Sequence, residues 1–134
     1  MIDRVEGVER VSFAVHGDKR GSLVAIESGT DVKFDIRRVY YIYGTQRGVA
    51  RGKHAHRNMN QVLICVNGSC DITLFDGKNE TTVTLESPQT GVYISGYVWR
   101  EMSNFSEGCV LLVLADKKYA ETEYIYDRSR LRGE

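Results

Sequence analysis

The sequence predicts an all-β chain closed into a barrel or sandwich, and three observations carry that prediction. Short apolar segments recur roughly every 8–12 residues with turn signals between them. Asn67-Gly68 and Asp76-Gly77 each lie between two such segments, and dipeptides of this kind adopt the positive backbone angles of a tight hairpin turn. Only one proline, Pro88, interrupts the chain, and no stretch longer than about ten residues spaces its apolar side chains as a helix would. The 134 residues suit a single domain, 1–134, with one core.

Residues 11–15 form a first short apolar segment, and residues 16–21 a turn. A strand over 22–27 ends at Ser28-Gly29-Thr30-Asp31. Residues 37–43 are rich in Val, Ile and Tyr, which fit a pleated, half-buried surface. A polar loop follows over 44–52, then strong strands over 61–66 and Cys70–Phe75, joined by Asn67-Gly68. Segments 81–85, 91–94 and 109–115 complete the set. The tail, 117–134, is charged and tyrosine-rich, and is expected to hold a short helix over one end of the barrel.

Composition narrows the class of function. Apolar residues make up 42% and charged residues 27%, an ordinary globular balance. Eighteen basic residues match eighteen acidic ones, so no net field points to nucleic acid or a membrane surface as partner. No apolar run reaches the length of a membrane span, and the acids at Asp3 and Glu6 leave no apolar signal core; a cytoplasmic protein is expected. Cys65, Cys70 and Cys109 are an odd number with no paired motif, and read as buried thiols. His16 stands alone near a turn and reads as exposed, Trp99 as packing, and Lys117-Lys118 as solvated.

The informative segment is Gly48-Val49-Ala50-Arg51-Gly52-Lys53-His54-Ala55-His56, with Gln61 and Gly68 beyond it. Side chains alternate along a strand, so His54 and His56 point the same way, roughly 7 Å apart. Two imidazoles facing one cavity can bind a metal or move protons near neutral pH. By the same alternation one of Tyr40 and Tyr41 faces inward, as a proton donor or a stacking surface. Arg51, just before the histidine pair, suits a bidentate diphosphate contact.

The spacing from Gly48 through His54, His56 and Gln61 to Gly68 resembles the first cupin motif, and Arg100-Glu101-Met102-Ser103-Asn104 has the spacing of the second. Cupin metal sites use both histidines and a Glu of the first motif with a His of the second. Here Gln61 replaces that Glu and Arg100 that His. A guanidinium has no lone pair to donate to a metal, so the site is expected to hold no metal and to favour an anion.

A closer resemblance covers nearly the whole chain. Arg20-Gly21-Ser22-Leu23-Val24-Ala25-Ile26-Glu27, Arg38-Val39-Tyr40-Tyr41-Ile42, Arg51-Gly52 with His54-Ala55-His56, Gln61-Val62-Leu63 with Asn67-Gly68-Ser69, and Val98-Trp99 with Glu101-Met102 are similar to the bacterial dTDP-sugar 3,4-ketoisomerases. The resemblance implies a cupin or jelly-roll β-barrel with a short C-terminal segment, a homodimer exchanging N-terminal strands, and dTDP-4-keto-6-deoxy-D-glucose as substrate. It implies no cofactor: a base removes the C3 proton, an enediolate forms, and C4 is reprotonated. It makes His54 the base and places Arg20 and Arg100 in the site; the same-face position of His56 suits a shuttle between the two sugar oxygens. Members forming the galacto product carry Arg and His at the positions of Arg20 and Arg100, and gluco-forming members Tyr and Arg, so this chain is a hybrid. Delivery to C4 from the side of His54 alone favours the galacto product; an inward Tyr40 or Tyr41 acting as acid on the opposite face reverses it. The alternatives are a dTDP-sugar 3,5-epimerase, to which Arg51-x-x-His54 is also similar, a non-catalytic sugar-binding cupin, and a metal-dependent dioxygenase.

Overall fold

The computed structural model describes residues 1–131. Its strands are β1 (Val8–Ser12), β2 (His16–Asp18), β3 (Gly21–Leu23), β4 (Arg38–Ile42), β5 (Arg51–His56), β6 (Asn60–Asn67), β7 (Cys70–Phe75), β8 (Glu80–Leu85), β9 (Thr90–Ser95), β10 (Trp99–Ser103), β11 (Val110–Ala115) and β12 (Tyr124–Ile125). Two short 3-10 turns, Tyr119–Glu121 and Arg128–Leu131, flank β12. One antiparallel sheet has the order β1-β9-β6-β11-β4 and the other β12-β5-β10-β7-β8; β2 and β3 form a separate hairpin.

Strand alternation explains how the layers pack. On β6, Leu63 and Cys65 face the core between the sheets, with Ile72, Leu74, Leu111 and Val113. Val62 and Ile64 face the other way, onto Phe13, Val32 and Phe34 of the segment that crosses the sheet's back. Both faces of β6 are therefore covered, which is why its sequence is a continuous apolar run rather than an alternation. Burying each such side chain contributes about 1.5–3 kcal/mol. On the second sheet the outward residues Ala55, Phe75 and Trp99 pack against Ile125 and Leu131, so the tail seals that back face.

Four expectations need correction. The first strand is β1, three residues earlier than the apolar stretch at 11–15, and it pairs with β9 of its own chain from Val8↔Ile94 to Ser12↔Thr90. The expected turn at 16–21 holds β2 and the start of a small exposed hairpin, and only Gly21–Leu23 is strand where 22–27 was expected. β10 lies where no strand was expected, because its buried positions include a charged residue, Arg100. The tail carries an added edge strand, β12 on β5, between two 3-10 turns rather than a helix; Arg132, Gly133 and Glu134 lie outside the described residues.

Candidate active site

A bulge sets the geometry of the histidine pair. β10 pairs with β5 as Arg100↔His54 and then Glu101↔Gly52, which leaves Lys53 as the extra residue. Lys53 has φ 49° and Gly52 has φ 86°. A side chain at position 52 would be strained at that angle and its Cβ would lie 3.3 Å from the Arg100 carbonyl oxygen, so glycine belongs there. The bulge brings the Gly52 carbonyl to 2.8 Å from His54 Nδ1. A carbonyl only accepts, so Nδ1 carries the proton and Nε2 of neutral His54 holds a lone pair. His56 Nε2 lies 3.0 Å from that atom and must therefore donate to it. His56 Nδ1 is then a buried acceptor with no hydrogen-bond partner among the described residues.

Burial chiefly, helped by the charge of Arg100, holds His54 below its ordinary value despite the opposing bond to Gly52. Burial, then Arg100, His54 and Arg38, push His56 down to about 2. Both imidazoles are thus neutral at neutral pH.

Behind them runs a buried chain of polar groups. Arg100 is 0% exposed; its Nη1 donates to Gln61 Oε1 and its Nη2 to the Val98 carbonyl at 3.1 Å. Both partners are neutral, and Arg100 Nε has none among the described residues. A guanidinium buried without a carboxylate is costly and is an electrostatic complement to an incoming anion. The Gln61 amide in turn donates to Tyr40 Oη at 3.2 Å, leaving the Tyr40 hydroxyl hydrogen free to point elsewhere. Burial raises the pKa of Tyr40 more than Gln61, Arg100 and Arg38 lower it, so it stays a protonated acid.

These groups border a hollow of about 450 Å³ lined by Arg38, Tyr40, Arg51, His54, Tyr124 and Tyr126 among others. Tyr40 enters it from β4 of one sheet and His54 from β5 of the other. Tyr40 packs inward with Ile42, while Tyr41 is 62% exposed on the rim, which resolves the alternation left open by the sequence.

The structure sorts the expected site residues into layers. Arg51, Tyr40, Tyr41 and His54 line the hollow. His56, Gln61 and Arg100 are buried behind it: His56 is hydrogen-bonded to His54, Gln61 to Tyr40, and Arg100 to Gln61. Arg20 stands apart: it sits on the β2–β3 hairpin, its side chain 90% exposed and paired with Asp18. Three polar side chains of the lining, Arg38, Tyr124 and Tyr126, escaped the sequence reading. Arg38 lies 4.5 Å from the Tyr40 ring centroid and 5.1 Å from that of Tyr119, with a buried Nη1 lacking a hydrogen-bond partner. Tyr124 stacks on His54 at 5.2 Å and 21° and meets His56 edge-on at 4.7 Å; Tyr126 lies 6.4 Å from His54. Arg38 shares the face of Tyr40 two residues on, a signal the sequence offered; the tyrosines come from a tail whose placement it did not.

The positions that hold a metal in cupins do not fit one here. The two imidazole nitrogens that would converge on an ion are hydrogen-bonded to each other, the Gln61 oxygen is taken by Arg100, and the fourth position is the cation itself.

A two-sheet antiparallel barrel with a neutral histidine pair backed by a buried guanidinium, and with Arg38 and Arg51 lining its hollow, defines a cupin-fold protein. The chain belongs to the family described as FdtA: WxcM-like, C-terminal, whose model matches residues 6–133. It is 51% identical over 115 residues, 86% of this chain and 83% of the relative, to the TDP-4-oxo-6-deoxy-alpha-D-glucose-3,4-oxoisomerase of Aneurinibacillus thermoaerophilus. A His-to-Asn mutant of the 3,4-ketoisomerase QdtA from Thermoanaerobacterium thermosaccharolyticum, solved with TDP-4-keto-6-deoxyglucose, superposes with TM-score 0.92 at 44% identity, over 96% of this chain and 93% of that one. The WlaRB TDP-quinovose 3,4-ketoisomerase of Campylobacter jejuni gives TM-score 0.92 at 44% identity, over 97% of this chain and all, 100%, of that one.

Proposed function

We propose that this chain is a 3,4-ketoisomerase of dTDP-4-keto-6-deoxy-D-glucose. The observation that carries the reading is the fixed tautomer of His54, whose Nε2 lone pair belongs to a residue lining the hollow. The 4-keto group acidifies the C3 proton, and His54 Nε2 takes it once the bound sugar displaces the hydrogen bond from His56 Nε2. Negative charge then develops on the enediolate oxygens, near the buried guanidinium of Arg100 and that of Arg38, where a low-dielectric site makes fixed cations most effective. Reprotonation at C4, with the O3 proton passed to O4, leaves the carbonyl at C3. Nothing is oxidised overall, and no cofactor enters the scheme. Arg51, at the mouth, is the diphosphate contact.

Tyr40 stands on the sheet facing His54 and is a protonated acid, which supports delivery to C4 from the face opposite the base. That gives the gluco configuration and replaces the galacto preference of a single-face mechanism. The relative named for TDP-quinovose, a 6-deoxyglucose, supports the same product.

A homodimer completes the reading. All residues of β2 and β3 are exposed, as are Leu23, Val39 and Tyr41, the last two on edge strand β4. An exposed edge strand is a template for a second chain. Docking the hairpin of one copy on the other covers this surface and carries Arg20 toward the partner's hollow. A monomeric mass in sedimentation at micromolar protein would sink this part. For the reaction itself, the test is NMR of the 4-keto sugar nucleotide incubated with the protein in heavy water. The carbonyl moves from C4 to C3 with no label at C5; a label at C5 would mean a 3,5-epimerase, and no change a binding protein.

A further inference from the structure

Outside the hollow, a cluster of chemistry-bearing side chains among the described residues is left unused by the isomerase reading. Cys65, Cys70 and Cys109 are all free, and they are 0%, 1% and 2% exposed. Their three sulfur atoms lie within 4.8 Å of one another, with Cys65 and Cys109 at 3.4 Å. A central atom with bonds of about 2.3 Å to sulfur, the zinc–thiolate length, holds its sulfurs about 4 Å apart, so little movement closes the three onto one atom. Cys65 lies four residues along β6 from Gln61, about 13 Å at strand rise, at the end of the barrel away from His54.

The surroundings select what that atom is. The three thiols belong to an apolar cluster with Val5, Val8, Ile72, Leu85, Phe105 and Leu111. Three thiolates around a monovalent ion leave two negative charges, and around a divalent ion one, in a setting where unpaired charge is expensive. Zinc moreover takes four ligands in structural sites, and no fourth His, Cys or carboxylate joins these three among the described residues. A trivalent thiophile leaves none.

We propose that Cys65, Cys70 and Cys109 form a trithiol site for trivalent arsenic, taken up from arsenite as a neutral complex. The exchange balances as As(OH)₃ + 3 RSH → As(SR)₃ + 3 H₂O. Three S–H and three As–OH bonds break, three As–S bonds and three waters form, and neither arsenic nor sulfur changes oxidation state. Entry is through the exposed turns at Asn67-Gly68 and Glu107-Gly108, closed over the cluster by the bonds Ser69 N to Ser106 Oγ (2.8 Å) and Asn67 Nδ2 to the Gly108 carbonyl (2.7 Å). The bound atom ties β6 and the residue just before β11, in one sheet, to β7 in the other.

The test uses the folded, reduced chain with sodium arsenite under anaerobic conditions. Native mass spectrometry should show one arsenic per chain, the titratable thiols of the subsequently denatured protein should fall from three to none, and the melting temperature should rise. Phenylarsine oxide, which joins two thiols, should leave one titratable, so the count of three is read without any substitution. Cys70→Ala should lose the tight adduct while keeping the circular dichroism of the parent. Failure of the folded chain to take up arsenic, uptake only after denaturation, equal affinity in Cys70→Ala, or stoichiometric zinc retained by the protein as purified would each overturn the proposal.

Discussion

Lowering the pH from 7 to 5 should destabilise the protein through His56, and the structure fixes the size of the effect. His56 is 1% exposed and its folded-state pKa is pushed down to about 2, against an ordinary value of 6.5 in the unfolded chain. The folded state keeps this imidazole neutral, so the unfolded state binds more protons once the pH drops below 6.5. Stability is therefore fully present above that value and is lost as the pH falls toward the folded value. The loss runs at about 1.4 kcal/mol per pH unit per histidine; between pH 7 and 5 it amounts to about 2 kcal/mol for His56 alone. Carboxylates, with ordinary values near ~4, are ionised in both states over most of this window, so they add little to the slope. His54, also held low by burial, adds in the same direction. The assay is urea unfolding at pH 7, 6 and 5, at fixed protein concentration so that any dimer contributes equally. His56→Gln keeps an N–H donor for His54 but cannot titrate, and should lose about 2 kcal/mol less than the parent across the window. Replacing His16, exposed on the hairpin, is the control. Identical pH dependence in the parent and His56→Gln would show that His56 is not held neutral by the fold.

Further outcomes follow from the same geometry. His54→Asn should lose turnover by about a hundredfold to ten-thousandfold, the usual worth of a general base, with dTDP binding kept; near-normal turnover would reject the assignment. Tyr40→Phe should slow turnover and shift any residual product toward the galacto configuration, read from the H3–H4 coupling after trapping by a 3-aminotransferase. With C3-deuterated substrate in ordinary water, delivery by Tyr40 leaves no deuterium at C4, whereas its retention would mean that His54 returns the proton itself. Arg51→Ala should weaken dTDP binding with the fold intact, and an unchanged dissociation constant would move the diphosphate contact to another arginine.

Local patterning determined most of the strands. The apolar runs and the Asn-Gly and Asp-Gly turns of β6, β7 and β8 need only neighbours in sequence to be legible, and their ends fall within a residue or so of expectation. β10 was hidden for an equally local reason: Arg100 and Glu101 break its apolar pattern, and only the polar chain to Gln61 and the Val98 carbonyl makes a buried guanidinium tolerable there. The extent of β1 and the hairpin at β2–β3 were blurred because short, exposed strands carry little hydrophobic signal.

The site divides the same way. Strand alternation placed His54 and His56 on one face, and the replacement of a cupin ligand by Arg100 already argued against a metal. Tertiary structure decided the rest. The bulge at Gly52-Lys53 turned a carbonyl onto His54 and so fixed its tautomer. Register against β11 put Tyr40 inside and Tyr41 outside. Pairing of β12 with β5 brought Tyr124 onto both histidines from a tail with no motif of its own. Residue identity and spacing set which groups can do chemistry and which face of a strand they share. Depth, partners and protonation depend on what the rest of the chain packs around them, since desolvation and hydrogen bonding are properties of the closed fold.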